Sequence, residues 1–569
     1  MIEHSSALRF GVMCNRAALQ RWQADALKEL RDTGHSLVLL ITDARSDVKT
    51  SRISGFLRRK WSVFLFTFLE NRFFNPAARQ MTSLEKELAG VAKLSCKVTR
   101  RGFSEYFSGE DVTTIESYKP DFILRFGFGI IRGDILDAAR YGVWSFHHDD
   151  ELGYRGGPAG FWEIFSGDPV SGAIMQRLTN RLDGGIILKK GYLKTSMHSY
   201  RENLEQLLTV SASWPAQAAG ELARNPQAVY PESLTKATVY KVPGNLQMCI
   251  FLLKLLRNRM RFHFTKLFLC EDWNSGLVRR PLHEVALGPG LIEDRQVAWL
   301  PQPGHGKYYA DPSGFIADGG LHVLVEEFSY QTQKAVISDF VLPAAISPAL
   351  IEPAWKGTSG VLSNENHLSY PFIVESGGNV YCVPESYRSG CVALYRRDPA
   401  SGQFTREKIL LAGVEAVDPT LFFHDGLWWL FFTSRKYSNS HLFIYHSSAL
   451  AGEYMPHAAN PVKTDVRSAR PAGSPFVHNG QLYRPSQDCS VTYGGQVVVN
   501  RVLKLTVDEF AEERVNAVAP VAGSRYGRGL HTLSPVGEFT LIDGKRYMFN
   551  PRSMMHQIMS IITGGGRHV

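Results

Sequence analysis

The chain has 569 residues, too many for a single hydrophobic core, so two or three domains are expected. Its 44% hydrophobic and 21% charged residues are those of ordinary globular protein, and 50 glycines with 11% aromatics fit a large share of turns and β-structure. A net charge of +9 favours an anionic partner, such as a nucleotide, a folate glutamate or an acidic lipid, while seven scattered cysteines without a CxxC pair exclude a disulfide framework and fit a reducing compartment.

The N-terminus, MIEHSSALRFGVM, lacks the charged-then-apolar layout of a secretory signal, and no run of about 18 uncharged apolar residues exists to span a membrane. The expected location is the cytoplasm. Residues 9–42 read strand, helix, strand: RFGVMC is a short apolar run, ALQRWQADALKELRDTG has apolar residues at helical spacing and stops at Gly34, and HSLVLLITD is a continuous apolar run of the buried parallel type. Residues 51–80 form an insertion with six Lys or Arg, one Glu and many aromatics. TSLEKELAG then predicts a helix. IESYKPDFILRFGFGIIRGDILDAARYGVWSFHH reads helix end, strand, loop, helix, strand. Alternating α and β elements imply an open parallel sheet whose ligands bind at the carboxyl ends of the strands, and His147 sits at such an end. A helix around RENLEQLLTVSASWPAQAAGELA closes this α/β, Rossmann-like domain, placed at 1–235.

Residues 236–282 are expected to be a helical linker. Within it NLQMCIFLLKLLRNRMRFHFTKLFLC again sets basic residues among Phe and Leu. Each basic aromatic segment reads either as a helix packing one domain on the other or as an interfacial helix on an anionic membrane, peripheral on its inner face.

From 283 to 569 a unit recurs: a Pro, an apolar strand, a tight turn, a second apolar strand. Its five prolines are Pro312, Pro371, Pro419, Pro475 and Pro535, spaced by 59, 48, 56 and 60 residues. The turns, Gly319-Gly320, Gly377-Gly378, Asp425-Gly426, Asn479-Gly480 and Asp543-Gly544, are hairpin signals. A five-fold repeat of this kind predicts an all-β propeller of five blades rather than a β-sandwich.

The stretch from Gly142 to Leu188 carries chemistry: a His ending an apolar strand, a Tyr-Arg-Gly-Gly turn, and an Asp in a Leu-Asp-Gly-Gly loop 36 positions after the His. It resembles the active-site segment of the 10-formyltetrahydrofolate-dependent formyltransferases, which carry Asn-x-His, Arg-Gly and Leu-Asp-x-Gly. The resemblance implies that His147 polarises the formyl oxygen, that Asp183 serves the proton relay, that Arg155-Gly156 is the family's turn, and that Phe126, Gly127, Phe128, Gly129, Ile130 and Ile131 line the pterin pocket of the co-substrate 10-formyltetrahydrofolate. The loop's glycines would let the backbone approach a flat ring. Ser145 stands where the family has Asn; either its hydroxyl donates to the oxyanion, or a neighbour such as His148 substitutes, or the chemistry differs. Adjacent strand residues point to opposite faces, so no metal is assigned to the polar run His147–Glu151.

The propeller unit resembles the arabinanase-like and sucrase-like glycosidases and the N-terminal domain of plant glucosamine inositolphosphorylceramide transferases. That resemblance implies a glycan or glycolipid context, with Asp311, Glu385 and Asp418 as candidate sugar-site residues. The expected activity is N-formylation of an amino sugar, nucleotide- or lipid-linked, with the propeller holding the acceptor or a glycan. The rivals are hydrolysis of a formyl group on the same scaffold, and a glycan-binding or glycosidase-like propeller beside an inactive folate domain. Basic residues are dispersed and no RNA-binding module is present, so no nucleic-acid partner is expected.

Overall fold

The computed structural model describes residues 7–15, 18–47, 61–83, 88–181, 184–304, 306–343 and 355–549. It divides into two compact units, Met1–Met260 and Arg261–Val569.

The first unit is a seven-stranded sheet. Its strands are β1 (Arg9–Cys14), β2 (Ser36–Asp43), β3 (Ala92–Cys96), β4 (Phe122–Arg125), β5 (Val143–His147), β6 (Val170–Arg177) and β7 (Ile186–Lys194), in the spatial order β7-β6-β5-β4-β1-β2-β3. The first five run parallel, whereas β6 and β7 add antiparallel at one edge, so the expected all-parallel sheet is mixed. The helices are α1 (Arg21–Asp32), α2 (Phe64–Leu69), α3 (Gly109–Ser117), α4 (Phe161–Ser166), α5 (Tyr200–Ser211), α6 (Trp214–Arg224) and α7 (Asn245–Phe268), of which the residues after Met260 belong to the second unit. Residues packed on both faces explain the continuous apolar runs: Met13, Ile41 and Ile123 join one cluster, while Trp22, Phe161 and Leu204 join another.

Local chemistry sets several boundaries. Gly34, at φ +92°, ends α1 in the left-handed conformation that its lack of a Cβ allows. The single closing helix expected around residues 201–223 is two, because Pro215 sits in the first turn of α6, where its missing N–H costs nothing. The helix expected in TSLEKELAG lies partly outside the described residues; Met81–Ser83 is a short strand and 88–90 a turn. The helix expected after Gly133 is only a 3-10 turn, Asp134–Asp137.

The second unit holds five antiparallel sheets whose innermost strands are Lys307–Ala317, Ser369–Ser376, Ala416–His424, Phe476–His478 and Leu533–Val536. These are the five blades of a propeller. The fifth blade draws on both ends of the unit: Leu269–Val278 pairs along its whole length with Phe539–Phe549. Pairing the first strand with the last closes the ring and leaves no open edge there. The expected linker 236–282 is therefore helical only over α7, and the propeller begins before residue 283.

Three expected hairpin turns, Gly377-Gly378, Asp425-Gly426 and Asn479-Gly480, are two-residue loops with positive φ at both positions. In the first blade the turn is Asp318-Gly319, one residue earlier than expected. In the fifth it is Gly537-Glu538. Asp543-Gly544 is not a turn: it lies inside the long strand, opposite Ser275 and Asn274, because the buried Asp543 side chain is used at the propeller centre.

Candidate functional site

The carboxyl ends of β4 and β5, with β6 beside them, line a cavity of about 300 Å³. Arg125, Ser145 and Gln176 face one another in register across these strands, and all three line it. His147, two residues beyond Ser145, projects from the same face of β5. Its Nε2 lies 3.2 Å from Tyr154 O. A carbonyl only accepts, so Nε2 carries the proton, and in the neutral ring Nδ1 is the basic nitrogen.

Ser145 is buried, and its Oγ accepts from Arg125 Nη1 at 2.7 Å. Arg125 Nη2 donates to Gly129 O at 2.7 Å, which fixes the plane of the guanidinium, while its buried Nε has no hydrogen-bond partner among the described residues. Burial pulls the Arg125 pKa below its ordinary value, opposed by the Glu105 carboxylate. Arg125 was missed by the sequence reading; its signal is a charged residue ending the apolar strand FILR. Arg132 and Arg181 also line the cavity and are tied to the carbonyls of Asn180 and Ser233.

The polar run after β5 separates by side chain. His148 points away from the cavity, stacks on Phe146 and meets Trp22 edge-on, and bonds Ser211 Oγ at 2.9 Å. Burial, helped by the nearby His147, lowers its pKa to about 3, so it is a neutral core residue, and its place outside the cavity lining sets it apart from the position of the family Asn. Asp149 is buried; its Oδ1 accepts the Gly160 N–H at the start of α4, and its Oδ2 stands 3.9 Å from His147 Nε2. Glu163 on α4 is fully buried with both carboxyl oxygens unpartnered among the described residues. Burial pushes both carboxyls well above the ordinary range, and Asp149 adds to the rise at Glu163. Asp150 and Glu151 bind Lys190 Nζ at 3.0 and 2.9 Å.

The expected pterin loop is only partly at the cavity. Ile130 and Ile131 line it. Phe126 instead packs on Trp22 and Phe146, and Phe128, at φ +62°, packs on Phe107. The glycines serve the chain itself: a Cβ on Gly127 would stand 2.5 Å from Asn15 N, and one on Gly129 2.9 Å from the Glu105 carboxyl. Gly156 lines the cavity, and a Cβ there would strike Tyr240 O at 2.1 Å. Arg155 Nη1 donates to Ala237 O at 3.1 Å. Asp183 lies outside the described residues, whereas Arg181 and Gly185 on either side of it line the cavity.

The second constellation fills the propeller centre. Asp311, Tyr370 and Asp418 each precede a Pro and hold φ of +53°, +45° and +51° at a bulge of their inner strands. Such backbone costs about 1–3 kcal/mol per residue and re-aims a side chain. Asp311, Glu385 and Asp418 are all buried. Asp418 accepts from Arg470 Nε at 2.6 Å, Arg470 Nη2 at 3.2 Å and Gln487 Nε2 at 2.8 Å, and its N–H donates to Glu385 Oε2 at 2.9 Å. Although burial works against it, Asp418 holds Arg470 well above its ordinary pKa. His531 Nδ1 stands 2.5 Å from Asp543 Oδ2, and its Nε2 3.5 Å from Asp311 Oδ1. Burial pushes Asp311 up to about 6, opposed by His531, and burial with Asp418 pushes Glu385 up to about 8. Asp418 is thus a neutralised partner of Arg470, whereas Asp311 and Glu385 are carboxyls of separated acidity. Glu326 is buried beside them, and burial, helped by Asp311, pushes its pKa well above the ordinary range. The sequence does not single out His531, Arg470 or Glu326, and Asp543, expected in a turn, lies at the centre instead.

Residues 305–529 match the family described as glucosamine inositolphosphorylceramide transferase 1, N-terminal. Glucosamine inositolphosphorylceramide transferase 1 of Oryza sativa subsp. japonica is 34% identical over 212 residues, 36% of this chain and 28% of that protein. A methionyl-tRNA formyltransferase of Prochlorococcus marinus is 30% identical over 95 residues, 16% of this chain and 28% of that protein. The chain spans only 28% of the length of these relatives. Among solved structures, glycinamide ribonucleotide transformylase 1 from Symbiobacterium toebii has TM-score 0.26 and 16% identity over 38% of this chain and 88% of that one. An α-L-arabinofuranosidase from Podospora anserina has TM-score 0.34 and 11% identity over 49% of this chain and 98% of that one. The chain joins a formyltransferase-like part to a propeller similar to the N-terminal domain of a glucosamine inositolphosphorylceramide transferase.

Proposed function

We propose that the chain is an N-formyltransferase that moves a formyl group from 10-formyltetrahydrofolate to the amine of an amino sugar, nucleotide- or lipid-linked. The observation that carries this reading is the row Arg125–Ser145–Gln176 with His147 beside it, on one face of one cavity at the strands' carboxyl ends. The amine attacks the formyl carbon, a C–N bond forms, and the carbonyl pair moves onto oxygen. The Ser145 hydroxyl, whose acceptor role is filled by Arg125, donates its proton to that oxyanion. His147 takes the amine proton at Nδ1, with Asp183 assisting as the family resemblance implies. Collapse restores C=O, breaks the bond to folate N10, and returns the proton to N10. The cofactor's own part is to supply the formyl group on a nitrogen that leaves readily.

The propeller would hold the sugar or its glycolipid carrier. The name of its relative, which joins glucosamine and inositolphosphorylceramide, supports an amino-sugar or glycolipid context. Calorimetric titration of the whole chain with 5-formyltetrahydrofolate, a stable donor analogue, is the test. Micromolar binding is expected, lost in Ile130→Asp, which puts a charge on the cavity wall. No binding by folded wild-type chain sinks the reading.

A further inference from the structure

Two stretches of the first unit, far apart in sequence, meet on its surface. Asn245 joins them: its Nδ2 donates to Trp61 O at 2.6 Å, and its Oδ1 accepts the Leu65 N–H at 3.1 Å. Trp61, Phe64, Phe68 and Phe73 form a ridge of rings in successive contact, with centroids 5.8, 6.1 and 6.5 Å apart. Each of the four is 51–69% exposed. Phe66 and Phe74 turn inward to the core, with Leu65 and Leu69 packed against the same cluster.

Helix α7 has two apolar sides. Met248 and Phe251 are buried in the core. Leu246, Leu253, Leu256 and Met260 recur at helical spacing on the side away from them, with Leu246 75% and Leu253 69% exposed. No Asp or Glu occurs from Asn245 to Phe268, whereas Lys254, Arg257, Arg259, Arg261 and Lys266 do. Arg257 and Arg259 make no ion pair among the described residues, so their charge is not spent within the fold. No described helix is long and apolar enough to cross a membrane, and basic residues break up the outward side of α7.

We infer that the aromatic ridge and the outward side of α7 form one docking face for an anionic lipid bilayer, lying in the boundary between headgroups and acyl chains. Core packing accounts for the inward side of these elements and leaves the outward side unexplained. An apolar strip whose helix carries only cations, and whose ridge holds a single acid, Glu70, already paired with Arg79, matches a bilayer surface, which offers acyl chains beneath anionic headgroups. A soluble acidic protein would match the charge but not a ridge of four exposed rings beside four exposed aliphatic side chains. The inference is independent of the chemistry in the cavity.

The test is co-sedimentation of the full chain with phosphatidylcholine vesicles, with or without phosphatidylglycerol, alongside light scattering of the free chain. Binding to the anionic vesicles is expected, with little to phosphatidylcholine alone. Arg257→Ser and Arg259→Ser should each weaken it by about fivefold, an effect that salt mimics. Leu253→Glu with Met260→Glu should abolish it while circular dichroism and the thermal unfolding transition stay those of the wild-type chain, which shows the fold intact. Wild-type chain that ignores anionic vesicles overturns the inference. So does binding unchanged by the substitutions. A wild-type dimer that ignores vesicles and that Leu253→Glu dissociates would assign the face to a second copy of the chain instead.

Discussion

At the scale of single residues, the cavity pairs Ser145 with a neighbour that sets how its hydroxyl can be used. A hydroxyl is a shorter donor than an amide, and it can also waste its proton on a neighbour. Arg125 prevents the second outcome. It can only donate, so it fills the acceptor side of Ser145 and leaves the hydroxyl proton for a ligand. Arg125→Met and Ser145→Ala should each lower kcat/KM for formyl transfer by about 10²-fold. Their double variant should be little worse than either, because the two act as one donor. Ser145→Asn should make activity insensitive to Arg125→Met, since an amide donates without help. Additive losses, or no rescue by Asn, would remove Arg125 from the reaction. Of this site, Ser145 and His147 were legible because their positions follow a motif along one strand. Arg125 was not, because it faces Ser145 only through strand pairing between residues 20 positions apart. His148 and Phe126 were misplaced for a related reason: one residue of offset on a strand moves a side chain from cavity to core.

At the scale of elements, the propeller's inner strands carry strain that its sequence repeat announces but does not explain. The Asp-Pro and Tyr-Pro pairs were visible as punctuation. Their positive φ and bulges appear only when the strands pair, and they turn Asp311, Tyr370 and Asp418 into the centre. Asp418 then meets Arg470, 52 residues later and also buried. Removing one partner leaves the other charged in a dry site. Asp418→Ala should therefore destabilise the propeller by about 3–5 kcal/mol, and Arg470→Met by a similar amount. The paired change should cost less than either single one, because no charge is left alone. Denaturant unfolding of the four proteins, followed through the propeller transition, checks this. A double variant as unstable as the sum of the singles would show that the pair is not the unit. Strand and turn content were legible in this unit because alternation and Gly-rich loops are local. The fifth blade was misread because closure joins residues at opposite ends of the unit.

At the scale of the whole molecule, several buried carboxyls hold their protons above the ordinary range, and that should show in its pH dependence. Glu385 rises from 4.5 to about 8 through burial and Asp418, and Asp311 from 3.8 to about 6 through burial. Each holds its proton to a higher pH when folded than when unfolded. Between the two values the folded state binds more protons, so unfolding becomes easier as pH rises. The contribution is complete below the unfolded values and is lost as pH passes 6 for Asp311 and 8 for Glu385. His531 acts in the same direction: Asp543 and Asp311 outweigh its burial and raise its pKa above 6.5. Asp149 and Glu163 add the same sign in the other unit. The buried histidines His148, His367 and His441, lowered to about 3, 4 and 3, act in the opposite direction up to their unfolded value near 6.5. The fall should therefore show above the histidine range, from about pH 7 to about pH 9, at about 1.4 kcal/mol per pH unit for each proton involved. Glu385→Gln separates the propeller's share. The amide stays neutral, and its oxygen can still accept the Asp418 N–H, so the propeller transition should flatten between about pH 6 and about pH 8 while the other transition keeps its slope. A Glu385→Gln variant with the wild-type slope would mean that Glu385 is ionised in the folded centre and that its burial is offset by cations, with Arg470 the first to examine.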